Sequence, residues 1–162
     1  MKKILIFSLA YYPSHVSGAE ASIKEITDRI SPSDIEFHLV TLFFDTTLPR
    51  EEKIGNIVVH RVGFGPSYLS KVFFVPLSVI KAFALGRSIG IDGYWTVMTY
   101  MLFPIAILRC LGSRIPHALT LQDGDPYEKV FGRLRIKLFL PLLDLGFRSA
   151  RVIQPISSYL AA

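Results

Sequence analysis

Residues 1–30 read MKKILIFSLAYYPSHVSGAEASIKEITDRI. Within them Ile4-Leu5-Ile6-Phe7 is apolar at every position, as a parallel strand buried on both faces requires. The loop that follows carries Pro13, Ser17 and Gly18, and from there the period changes. Ile23, Ile26 and Ile30 fall on one helical face. Ser17 and Glu20 have the S-x-x-E spacing of a capping box, in which Ser17 caps the helix and Glu20 reaches back to a backbone N–H. Strand, small-residue loop and helix start together open a nucleotide-binding α/β unit. They place free N–H groups and the positive end of a helix where an anion can sit.

The rest of the chain repeats that alternation. Ile35 to Phe43 and Ile57 to Val62 read as strands, separated by a polar stretch, Asp45 to Asn56, expected as a surface loop. Tyr68 to Ile89 reads as a helix containing Pro76, and Gly93 to Thr99 as a fourth strand. A helix from Tyr100 to Leu111, a strand from Ile115 to Gln122 and a helix from about Tyr127 to Phe147 follow. Ala150 to Gln154 is the sixth strand, and Ser157-Ser158-Tyr159-Leu160 has the look of one more helix start. Strands separated by helices imply right-handed crossovers and a parallel sheet. The expected fold is therefore α/β, a Rossmann-like doubly wound parallel sheet with helices on both faces, in a single domain over residues 1–162.

The common strand order 3-2-1-4-5-6 sets the first and fourth strands side by side, and ligands bind outside the carboxyl ends of the strands there. Three loops then converge: Ala10 to Gly18, the one beginning at Thr99-Tyr100, and Gln122 to Asp125. Gly18 lets a phosphate approach the backbone closely, and His15 is placed to hydrogen-bond a sugar or phosphate. Glu20 has a capping role and a ligand role in equal balance. Asp123-Gly124-Asp125 has carboxylates spaced for a divalent ion, but an Asp-Gly turn beside a helix start satisfies backbone N–H groups locally. The turn reading is preferred, no metal is expected, and Asp123 stays in reach of an acceptor hydroxyl.

Composition narrows the classes. The chain has 162 residues, 51% hydrophobic and 19% charged, which suits one well-filled core. Its net charge of +5 is moderate. Basic residues do not interleave with aromatics as in an RNA-binding sheet, so no nucleic acid partner is expected. No zinc spacing, nucleophile elbow or Walker loop occurs. The single cysteine, Cys110, lies in an apolar run and is expected as a buried core thiol in a reducing cytosol. Met1 to Ala10 imitates a short signal peptide, but its removal would delete the central strand. No transmembrane helix is expected: Val72 to Leu85 is interrupted by Pro76, Ser78 and Lys81, and Tyr94 to Leu108 is short. Two segments, Lys129 to Arg151 and Tyr68 to Lys81, mix basic and apolar residues in a way that suits an anionic membrane surface. Core packing with a solvated basic face explains them as well. The expected location is cytoplasmic, with peripheral attachment to the inner face of the membrane.

Tyr11-Tyr12-Pro13 followed by His15, and then Gly18-Ala19-Glu20 at a helix start, resembles the N-terminal signature of the family 4 type retaining glycosyltransferases, which have the two-domain GT-B fold. The usual pattern has two glycines before Ala-Glu; here the first is Ser17. The resemblance implies that this chain is the acceptor-binding half, with a glycine loop reaching the donor diphosphate. Substrate-binding positions would be His15, Ser17, Gly18, Glu20, Tyr100 and Asp125. Gln122 stands where such enzymes often have a His near the reacting sugar, and with Asp123 makes the catalytic pair. A Gln can hydrogen-bond but not exchange a proton near neutral pH. The resemblance further implies a nucleotide-sugar co-substrate, no other cofactor, and a donor-binding C-terminal domain, supplied in the same chain or as a separate subunit. The acceptor would be a sugar or lipid-linked hydroxyl, and the chain alone would be inactive. Two other classes compete: a non-catalytic Rossmann-like module that binds a ligand or partner, and a nicotinamide dehydrogenase. The latter lacks the G-x-G-x-x-G fingerprint.

Overall fold

The structure is a computed structural model, and it describes residues 1–122 and 134–157. The first apolar run forms β1 (Lys2–Phe7), at the centre of a sheet flanked on one side by β2 (Ile35–Leu42) and on the other by β5 (Gly93–Val97). Beyond β2 lies β4 (Ile57–Val62), and beyond β5 lie β6 (His117–Leu121) and β7 (Val152–Pro155). These six strands are parallel and stand in the expected doubly wound order. A seventh, β3 (Glu51–Ile54), pairs antiparallel with β4 at the edge. It corrects the reading of Asp45 to Asn56 as a loop throughout. The hairpin turns at Gly55, whose φ of +57° suits glycine, and the charged sequence Glu51-Glu52-Lys53 masks the strand because it lies on a solvent-facing edge.

The sheet is covered on both faces because β1 has no polar side to leave in water. On one face Leu5 and Phe7 pack with Val40 of β2 beneath α2 (Tyr68–Ser88) and α3 (Leu102–Cys110), through Phe74, Ala82 and Ile105. On the other, Ile6, Leu39 and Val59 pack under Ala19 and Ile23 of α1 (Gly18–Asp28). The last described helix, α4 (Leu134–Arg148), joins α3 over β6 through Leu102, Leu119 and Leu143. That approach is close. A Cβ at Gly146 would lie 2.9 Å from the Leu102 Cβ and 3.2 Å from its carbonyl oxygen. Cys110 is the last residue of α3 and is exposed, which corrects its expected burial. It closes a helix whose inner face is already filled by Leu102, Ile105 and Leu108. The expected helix from Tyr127 is described only from Leu134, and the segment 158–162 lies outside the described residues.

His38 and His60 are buried strand residues, as expected from their place in apolar runs. Their rings stack at 5.3 Å beneath α2. Glu36 and Glu51 close the two outer ends of the pair at 2.8 Å each. Burial and then the Lys81 ammonium push the His60 ring down to about 4, against the pull of Glu51. His117 is also pushed down to about 4, by burial and by the Arg109 guanidinium 3.3 Å from its Nδ1.

Two outcomes follow. Gly146→Ala should destabilise the protein by about 1–3 kcal/mol through overpacking against Leu102, although alanine is the better helix former. Chemical unfolding at neutral pH checks it. Because the folded state holds both rings neutral, the unfolded chain binds more protons between their ordinary 6.5 and about 4. Stability should therefore fall as the pH drops through that window, by on the order of 2–3 kcal/mol per ring. Unfolding curves at several pH values should show a shallower slope for His117→Gln.

Candidate functional site

The carboxyl ends of β1, β5 and β6 meet at one rim of the sheet, and the loop from Ser8 to Ser17 crosses it. Its path is fixed by backbone contacts with the end of β2. The Ser8 N–H donates to the Val40 carbonyl, and the Leu9 carbonyl accepts from the Leu42 N–H and the Thr41 hydroxyl. Arg61 supplies a stronger constraint. Its guanidinium is almost wholly buried at the end of β4 and donates to the carbonyls of Tyr12 (3.1 Å) and Pro49 (2.8 Å) while pairing with Glu52. Tyr12 and Pro13 are joined by a cis peptide bond. One buried cation thus ties the loop before α1 to the edge hairpin. Tyr11 packs inward under this loop, and burial raises its phenol well above the usual range.

At the start of α1 the capping box forms. The Ser17 N–H donates to Glu20 Oε2 at 2.7 Å, and the Ser17 hydroxyl bonds the same oxygen. Glu20 is buried in this role. Gly18 is the first helical residue, and a Cβ there would meet nothing within 4 Å. Neither packing nor a positive φ demands glycine at this position. What its hydrogen leaves clear is the open side of a helix N-terminus, where backbone N–H groups have no partner within the helix.

Gln122 follows β6 and faces the first turns of α1. It lines a cavity of about 150 Å³ together with Ala19, Ser22, Trp95, Thr120 and Gln154. Its Oε1 is buried and has no hydrogen-bond partner among the described residues. Beside it the Trp95 indole donates to the Thr120 hydroxyl at 2.9 Å. The rim between β5 and α3 is shaped by Met98, a non-glycine residue at φ +74°. Such conformations are costly and collect at functional sites. A 3-10 turn, Thr99–Met101, follows.

The expected site residues divide into two groups. Ser17, Gly18, Glu20 and Gln122 lie on the α1 side. His15 and Tyr100 lie on the α2 side. His15 is exposed and packs its ring 4.4 Å from that of Phe44, over which Lys71 also lies at 5.8 Å. The Tyr100 hydroxyl donates to the Lys71 carbonyl at 2.9 Å. Asp123 and Asp125 lie outside the described residues. Among the described residues no group of three or more His, Cys, Asp or Glu side chains is arranged to hold a metal ion. Sequence reasoning missed Arg61 and Met98. An arginine inside an apolar strand was the available signal for the first; nothing in residue type marks the second.

No family model and no curated protein matches this chain. Solved structures do. Sucrose-phosphate synthase from Thermosynechococcus elongatus superposes with a TM-score of 0.70 at 13% identity, over 94% of this chain and 42% of that one. A second structure of that enzyme gives 0.68 at 13% identity, covering 97% and 77%. A structure described as trehalose-6-phosphate from E. coli, bound with UDP-2-fluoro glucose, gives 0.56 at 13% identity, covering 99% and 41%. The likeness is one of fold. Nearly the whole of this chain is matched, and it spans about two fifths of two of these neighbours.

Arg61→Met should free the Tyr12 and Pro49 carbonyls and strand Glu52, at a cost of about 3 kcal/mol. Hydrogen exchange should rise first in residues 9–17, and Arg61→Lys should fail to restore protection, because an ammonium cannot span three acceptors in one plane.

Proposed function

We propose that this chain is the acceptor-binding half of a retaining GT-B glycosyltransferase, which moves a sugar from a nucleotide donor to the hydroxyl of a glycolipid, polyprenyl-linked or polysaccharide intermediate. The observation that carries the reading is the open α1 N-terminus at Gly18, next to Ala19, which lines one cavity with Gln122, in a fold shared with a sucrose-phosphate synthase. The UDP-2-fluoro glucose bound to a further neighbour supports a nucleotide-sugar donor. On this reading Gly18 and the first N–H groups of α1 stabilise the negative charge of the leaving diphosphate. Gln122 presents its buried amide oxygen to the reacting sugar, holding it by hydrogen bonds without moving a proton. His15 and Tyr100, with Asp123 and Asp125 from the sequence after β6, hold the acceptor. Ser17 and Glu20 hold the helix start in place. The protein contributes positioning and charge stabilisation, with the nucleotide-sugar as co-substrate and no metal or further cofactor. The donor nucleotide is held chiefly by a second α/β domain, from the same chain or a partner subunit, and without it the chain does not turn over.

The test is direct. Amide resonances of Ser17 to Glu20 should shift on titration with UDP, and Gly18→Val should weaken that response about tenfold or more without lowering the melting temperature. No response at millimolar UDP, or shifts centred elsewhere, would sink the reading. With the donor-binding domain present, Gln122→Ala should lower turnover about 100-fold, in the range of a lost transition-state hydrogen bond.

A further inference from the structure

The helix α2 has two apolar faces. Ser70, Phe74, Ser78, Ala82 and Leu85 form the buried one, on the sheet. The opposite face is also apolar and lies in the open. Leu69, Phe73, Pro76, Ile80 and Phe83 follow one another at spacings of 4, 3, 4 and 3 residues, which keeps them on a single stripe. Leu69 is 61% exposed, Phe73 50% and Ile80 64%. From Leu69 to Phe83 the stripe runs about 20 Å. The helix is long and apolar enough to cross a membrane by length and composition. Its inner face is committed to the sheet, so it lies along the surface of the domain.

Two observations say what this surface meets. First, α2 has no Asp or Glu; Lys81 pairs with Glu51 of β3, which leaves Lys71 and Arg87 as its exposed cations, so a second copy would set like charges together, whereas an anionic plane complements them. Second, the apolar surface is broad. Phe64 packs 6.1 Å from Phe73 at one margin. At the other, Tyr100 leads by ring contacts to Phe103 and on to Phe139 of α4. Phe139 and Leu140 are themselves exposed. The helices α2 and α4, the described helical parts of the two segments whose sequences mix basic and apolar residues, thus reach one side of the sheet, joined by aromatic rings. The cavity at Gln122 is on the other side.

We propose that the outer face of α2, extended by Phe139 and Leu140 of α4, docks on an anionic phospholipid bilayer, with the apolar stripe in the headgroup–acyl boundary and Lys71 and Arg87 at the phosphate level. Its readout is lipid binding, so it stands or falls apart from the sugar-transfer reading.

The chain is sedimented with vesicles of phosphatidylcholine alone and of phosphatidylcholine with about one third phosphatidylglycerol. It should partition to the anionic vesicles and release at high salt. Phe73→Glu/Ile80→Glu should reduce partition about tenfold or more, and Lys71→Glu/Arg87→Glu should remove the preference for anionic lipid. The substituted side chains are exposed, so circular dichroism should be unchanged; Phe73→Ser/Ile80→Ser is the milder pair should it differ. Failure of the wild-type chain to sediment with anionic vesicles would overturn the proposal. So would undiminished binding by the double variants, or a dimer in light scattering that Phe73→Glu/Ile80→Glu dissociates.

Discussion

A strand with no polar face has to be covered twice, and in this protein that requirement falls on β1. Leu5, Ile6 and Phe7 are wholly buried, and their alternation sends successive side chains into different cores. The α1 layer and the α2–α3 layer exist to cover them. Parallel neighbours with crossover helices follow, because a hairpin partner would leave one face wet. Once β1 lies between β2 and β5, the loop leaving it must run over the switch point of the sheet. The position of the site is therefore a consequence of core formation, before any ligand is considered.

Much of this was legible in residue types. Apolar runs between helical stretches marked the six parallel strands, and the onset of a 3.6-residue period after Gly18 marked α1. Ser17 and Glu20 announced their own hydrogen bonds by spacing. What escaped was set by context. The strand β3 is written in Glu51-Glu52-Lys53, residues that suit a loop as well as an edge, and only its pairing with β4 distinguishes the two. Cys110 sits in an apolar run, yet its orientation depends on where α3 ends. The rim of the site shows the same limit. Gly18 and Gln122 could be placed from loop convergence, whereas the strain at Met98 arises from three-dimensional closure of a turn.

Arg61 shows how the two levels meet. A charge in the interior is costly unless it is surrounded by acceptors. Here Tyr12, Pro49 and Glu52 provide them, drawn from the loop before α1, the connection before β3 and β3 itself. These hydrogen bonds and the ion pair offset the cost of burying the cation, and in forming they hold the loop before α1 in place. The hairpin at the sheet edge is thereby coupled to the loop before α1, and the edge is part of what shapes the rim of the sheet.

The two margins of the sheet are chemically unlike. On one, Glu51 and Lys53 line β3 with charges of both signs. On the other, β7 shows Val152 and Ile153 to solvent. A strand of that composition, paired only with β6 among the described residues, offers its outer edge as a template for further strands. Self-association in concentrated solution would then start from β7 and not from β3, and a lysine in place of Val152 would be the economical way to keep this protein dispersed.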